Sequence, residues 1–123
     1  MRVYIVEDNA MLQGRLREAF SEISGVEVVG CAVDAASAIR DIPALNPDLI
    51  TLDLWLKAGN GFDVLRWLGT RAGNRPECIV LTSHTDAQHI EQATRLGATR
   101  YMDKARDIPA LLDLIRDRAG TPA

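Results

Sequence analysis

The stretch L52-DLWLKAGNGFDV-L65 decides how this chain folds. Leu52, Leu54 and Leu56 alternate with Asp53 and Trp55, and Asn60-Gly61 is a strong type I′ turn pair, which together suggest a two-stranded hairpin. The alternative is that an apolar strand stops at Asp53 and a loop then leads into a helix. Phe62, Val64, Leu65 and Leu68 follow Gly61 at helical and not alternating spacing, so the loop reading wins. It places the Asp53 carboxylate at the tip of a buried strand.

Working outward, short apolar runs alternate with segments of helical period. VYIV (3–6) precedes a stripe of Leu12, Leu16, Ala19, Phe20 and Ile23. VEVVGC (26–31) precedes Asp34, a helix N-cap for Ala35, Ala38, Ile39 and Ile42, with Pro43 expected to end or distort that helix. DLITLD (48–53) is the third strand and CIVLTS (78–83) the fourth. Asp86 caps a helix carrying Ile90, Ala93 and Leu96, closed by Gly97. RYMD (100–103) is the fifth strand, and Asp107 is expected to cap a last helix through Ile108, Leu111, Leu112, Ile115 and Ala119.

Five β-then-α units in succession imply an α/β fold, a doubly wound parallel sheet with helices on both faces. The first, third and fourth strands are almost wholly apolar, as strands covered on both faces must be, whereas the second and fifth carry charges. Strand order 2-1-3-4-5, the flavodoxin-like (βα)5 arrangement, follows. One domain over 1–119 with a short tail at 120–123 is expected.

Composition narrows the function classes. A net charge of −3 without long single-sign runs argues against charge-driven binding to nucleic acid or membranes. No signal peptide or membrane span is present, and Cys31 and Cys78 form no CxxC pair, so a cytoplasmic protein with two reduced, buried thiols is expected.

In such a sheet ligands bind beyond the carboxyl ends of the strands. There stand Glu7-Asp8, Asp53, Thr82-Ser83 and Asp103-Lys104, so acids, a hydroxyl and an ammonium converge. Clustered carboxylates repel unless they share protons or a cation, and a hard divalent ion such as Mg²⁺ suits oxygen ligands plus phosphate. A bare nucleotide site would instead show glycines after the first strand, and no GxxxxGK[ST] occurs.

These residues make the chain resemble, over nearly its whole length, the receiver domain of two-component response regulators. The matching features are Glu7-Asp8, LDL with Asp53, Gly61 eight positions later (61 − 53), VLTS with Thr82 and YMDK with Lys104, 22 positions further on (104 − 82). The resemblance implies a phospho-switch in which Asp53 accepts a phosphoryl group from a phosphohistidine donor. It implies Mg²⁺, or Mn²⁺, held by Asp8, Asp53 and the backbone carbonyl of Trp55, with Glu7 assisting, and Lys104 neutralising phosphoryl charge. Thr82 would donate to the new phosphoryl group, with Tyr101 as an aromatic switch. Trp55 and His84 are expected to flank the phosphoryl group and restrict water.

The implied partners are a sensor histidine kinase or a histidine phosphotransfer protein, and downstream a protein partner or an effector domain outside this chain. A homodimer through the face of the fourth helix, fifth strand and fifth helix is a further expectation. Departures are Leu56-Lys57 where the family often has Met-Pro, and Ala105 where proline usually follows the lysine. A haloacid-dehalogenase-like hydrolase would need a second Asp two positions after the nucleophile, where Trp55 stands. A scaffold that takes no phosphate would not need the acids, Thr82 and Lys104 together. The domain is thus expected to be regulatory and not an enzyme, apart from its own phosphotransfer and slow autodephosphorylation.

Overall fold

Tyr4 and Val6 of the first strand point to one side of the sheet and Val3 and Ile5 to the other, and all four are buried. That two-sided burial is what an interior parallel strand requires. The computed structural model describes residues 1–71, 73 and 75–120. The elements run β1 (Arg2–Val6), α1 (Ala10–Ser21), β2 (Glu27–Ala32), α2 (Ala35–Leu45), β3 (Leu49–Leu52), α3 (Gly61–Gly69), β4 (Glu77–Thr82), α4 (Ala87–Arg95), β5 (Arg100–Asp103) and α5 (Ile108–Gly120). All strand pairs are parallel, in the order β2-β1-β3-β4-β5. The charged strands lie at the edges, as their sequences imply.

Two apolar layers sandwich the sheet. One joins Tyr4, Val6, Ile50, Leu52 and Val80 to Ala38, Ile42, Leu65, Leu68 and Ala93 of α2, α3 and α4. The other joins Val3, Ile5, Leu49, Ile79 and Leu81 to Leu16 and Phe20 of α1 and Leu111 and Ile115 of α5. Burying side chains of this size contributes roughly 1.5–3 kcal/mol each, which fixes the strand register and so the positions of the strand tips.

Local signals place the helix ends. Asn9, Asp34, Asn60 and Asp86 each accept a hydrogen bond from a backbone N–H in the first turn that follows. Gly97 (φ +104°) lies one residue past the C-cap Leu96; its N–H reaches the Thr94 carbonyl and the Ala98 N–H the Ala93 carbonyl, closing α4 with a paired terminal motif.

Three expectations are corrected. Pro43 does not end α2, which runs on to Leu45. In the last turn the missing N–H removes a single helical bond, and left-handed Asn46 restores order by donating to the Ile42 carbonyl. Asp107 does not cap α5 with its side chain, which accepts instead from the Asp103 N–H (2.8 Å) and so braces the end of β5. Cys31, on edge strand β2, is only half-buried, unlike the buried Cys78; α5 runs to Gly120, and 121–123 fall outside the described residues.

Candidate functional site

The opening stretch resolves as a strand tip and a loop. β3 ends at Leu52, and the Asp53 N–H still bonds the Val6 carbonyl (3.0 Å), carrying the ladder one residue further. Asn60 is extended (φ −145°) and forms a reciprocal capping box with Asp63 at the start of α3. The hairpin signal leaves one trace, an isolated antiparallel bridge between Trp55 and Asn60. Gly61 permits that return: a Cβ there would lie 2.5 Å from the Asp53 carbonyl oxygen and 2.8 Å from the Leu54 Cα. The same loop is pinned on its far side, where the Ala58 carbonyl accepts from the Ala35 N–H (3.2 Å).

At the carboxyl ends of β1, β3 and β5, Glu7, Asp53 and Lys104 meet. Lys104 Nζ lies 2.7 Å from Asp53 Oδ2 and 2.8 Å from Glu7 Oε1. Glu7 and Asp53 are 2% and 4% exposed, so little water screens these contacts. Asp53 Oδ1 accepts from the Trp55 N–H (3.2 Å), and Glu7 Oε2 from the Asn9 N–H (3.0 Å). Burial pushes the Glu7 carboxyl up, against the hydrogen bonds from Lys104 and Asn9. Burial by itself would lower the Lys104 ammonium, but its bonds to Asp53 and Glu7 outweigh that and hold it above the ordinary lysine value.

Asp8 completes the acidic group: Glu7, Asp8 and Asp53 each offer an oxygen within 4.8 Å of the others. Two of the three are buried, and one ammonium serves both. Hard carboxylate oxygens at that spacing fit a small divalent cation, with slight closing or with water in part of the coordination shell.

The other expected residues fall around this core. Thr82 is fully buried at the end of β4; its Oγ1 lies 3.4 Å from the His84 N–H, and its carbonyl accepts from the Lys104 N–H (3.1 Å). Tyr101 is half-buried on β5, and its hydroxyl donates to the His84 carbonyl. Burial and the charges of Asp86 and Asp53 push that phenol up to about 12. Trp55 remains 40% exposed and stands edge-on to His84, ring centroids 4.9 Å apart.

Sequence reasoning missed His89 as a third member of this ring cluster. Its imidazole lies edge-on to Trp55 (5.2 Å) and stacks on Phe62 (6.1 Å), while its Nδ1 pairs with Asp86. The β3–α3 loop is thereby tied to the start of α4. No spacing rule could find this, because Trp55, His84 and His89 come from separate loops and a helix. Gln13 was also missed; its side-chain amide donates to the Glu7 carbonyl (3.0 Å) and steadies the first acid from α1.

A five-stranded parallel sheet of this order, with three acids, a hydroxyl and a lysine gathered at its carboxyl edge, defines a flavodoxin-like signalling domain. The model of the response regulator receiver domain family matches residues 3–116, and the chain belongs to that family. It is a two-component signalling receiver, a phospho-switch domain.

The response regulator domain of Thermotoga maritima CheB superposes with a TM-score of 0.86 at 25% identity, covering 100% of this chain and 98% of that one. The receiver domain of a response regulator NarL from Mycobacterium tuberculosis gives a TM-score of 0.83 at 25% identity, covering 98% and 97%. Among curated relatives, a protein-glutamate methylesterase/protein-glutamine glutaminase of Koribacter versatilis is 32% identical over 109 residues, 87% of this chain and 30% of that protein. The DNA-binding transcriptional activator DevR/DosR of M. tuberculosis is 32% identical over 104 residues, 85% of this chain and 48% of its own length. The chain therefore spans less than half of either relative. No helix among the described residues is long and apolar enough to cross a membrane.

Proposed function

We propose that Asp53 is the phosphoacceptor of this receiver, taking its phosphoryl group from a phosphohistidine on a sensor histidine kinase or a histidine phosphotransfer protein. The observation that carries this is the position of Asp53: a buried carboxylate at a strand tip, 2.7 Å from Lys104 and grouped with Glu7 and Asp8. A carboxylate oxygen attacks the phosphorus in line, the bond to the donor nitrogen breaks, and its electron pair leaves with the imidazole. Lys104 is freed from Asp53 as the carboxylate charge is consumed and turns to an equatorial phosphoryl oxygen. Asp8, Asp53 and the Trp55 carbonyl would hold Mg²⁺, or Mn²⁺ as a substitute, with Glu7 assisting. When bound, that ion neutralises charge developing on the phosphoryl oxygens.

Thr82, buried beside the site, donates its hydroxyl to the phosphoryl group and draws the β4–α4 loop inward. Because the Tyr101 hydroxyl is bonded to the His84 carbonyl, that movement is felt on β5 and changes the α4-β5-α5 face. This face is the proposed contact for a downstream partner, an effector domain or a second copy of the chain. Trp55 and His84, already in ring contact, limit water access to the phosphoryl group and prolong its lifetime. The domain spanning 1–119 is regulatory and cytoplasmic, with no direct nucleic-acid contact of its own, and its only chemistry is its own phosphotransfer and slow hydrolysis.

Incubation with Mg²⁺ and a small phosphodonor should add a single phosphoryl group, measured by mass spectrometry, and Asp53→Asn should abolish it. Multiple turnover without a retained adduct would instead indicate a hydrolase, and no adduct at all a scaffold.

A further inference from the structure

The chain has two lysines among its 14 basic residues, Lys57 and Lys104, and both stand at this site. Lys104 is the inner one, half-buried and shared by Glu7 and Asp53. Lys57 is exposed and lines, with Asp8, Asn9 and Ala10, a shallow cavity of about 290 Å³ at the mouth of the acidic group. Its ammonium has no ion-pair or hydrogen-bond partner among the described residues. The loop beneath it is anchored by the Ala58–Ala35 bond and the Trp55–Asn60 bridge, so a free charge is held over the entrance by a fixed backbone.

Glu7, Asp8 and Asp53 contribute −3 and Lys104 +1, leaving −2 inside the site. A divalent ion would bring that sum to zero, which offers a phosphoryl dianion no net attraction. Lys57 makes the mouth positive. Resting on the reading of Asp53 as phosphoacceptor, we propose that Lys57 is the donor-recognition residue, attracting the oxygens of the incoming phosphoryl donor while opposing cation binding at Asp8.

With acetyl phosphate as probe, an Asp53 oxygen forms the bond to phosphorus as the bond to the acetate oxygen breaks, and its electron pair leaves with acetate. Lys57 acts on the approach to this step, so its effect must grow with donor charge and shrink with salt. Lys57→Met is expected to slow adduct formation by acetyl phosphate about three- to tenfold at low ionic strength, converging on the wild-type rate near 1 M salt. Lys57→Glu should be slower still and Lys57→Arg within about twofold of wild type, as a through-space charge effect requires. Phosphoramidate, which carries less charge, should respond less to each change.

The same Lys57→Met protein should bind Mg²⁺ about two- to threefold more tightly, followed by tryptophan fluorescence without any phosphodonor. Opposite signs in the two measurements separate a charge role from a disturbed loop. An unchanged rate with acetyl phosphate, a loss insensitive to salt, or weakened Mg²⁺ binding would each overturn the proposal while wild-type phosphorylation left the Asp53 reading standing. If the wild-type protein binds Mg²⁺ but takes no phosphate from either donor, both readings fall.

Discussion

At the amino ends of the strands, charges are matched nearly one to one. Arg118 Nε lies 3.0 Å from Glu77 Oε1 at the start of β4, and Arg2 reaches Glu27 (3.6 Å) while its N–H donates to Asp48 (2.8 Å). These pairs are solvent-screened, so each contributes little to stability. At the carboxyl ends, three acids gather, and the two buried ones share Lys104. One end is balanced, whereas the other carries an excess of negative charge that only an added cation relieves. The fold trades stability for chemistry at its acidic end: the balanced end can lose a charge cheaply, and the acidic end cannot lose its lysine.

Lys104→Met should destabilise the metal-free protein by about 3 kcal/mol, because two buried carboxylates lose their common partner. Urea unfolding measures this, and a loss below about 1 kcal/mol would show that water already screens the site. Magnesium should act in the other direction, adding about 2.7 kcal/mol to wild type at a hundredfold excess over its dissociation constant. Asp8→Asn should remove most of that gain, which thermal melts with and without the ion would detect. Gly61→Ala should cost about 2 kcal/mol, since its Cβ would lie 2.5 Å from the Asp53 carbonyl oxygen and force the loop away from the strand tip.

A smaller effect carries a pH signature. Burial raises the folded Glu7 carboxyl above its unfolded value, so its ionised form costs stability. That cost is absent at low pH and develops as pH rises through the folded value. Metal-free Glu7→Gln should therefore be about 1 kcal/mol more stable than wild type at pH 7, with the gap closing toward pH 4. A gap that widened on acidification would reverse the sign assigned to Glu7. The smallest change is expected at the balanced end, where Arg118→Met should leave the urea midpoint close to that of wild type and Mg²⁺ affinity untouched.

The clustered acids, hydroxyl and lysine were legible because they sit at strand tips. In a parallel sheet, an apolar run that stops at Glu7, Asp53 or Thr82 projects the next side chain over the same edge, so strand order alone brings these residues together. Pro43 misled because its cost depends on its distance from the helix end, which a single proline does not reveal. Asp107 misled because a capping residue and a strand brace have the same composition, and only the turn after β5 chooses between them. The cluster of Trp55, His84, His89 and Phe62 had no linear signal at all, since ring contacts between separate segments follow no period.

By itself the sequence determined the alternation of strand and helix, the interior and edge strands, and the acids, hydroxyl and lysine at the carboxyl edge. Hydrophobic period and turn chemistry are local properties, and local properties can be read along a chain. Only the tertiary structure decided that Asn60-Gly61 is a helix start pressed against the strand tip, that Lys104 is shared between Glu7 and Asp53, and that Lys57 stands at the mouth without a partner among the described residues. Those outcomes depend on distances between segments far apart in sequence, which are set when both faces of the sheet are buried.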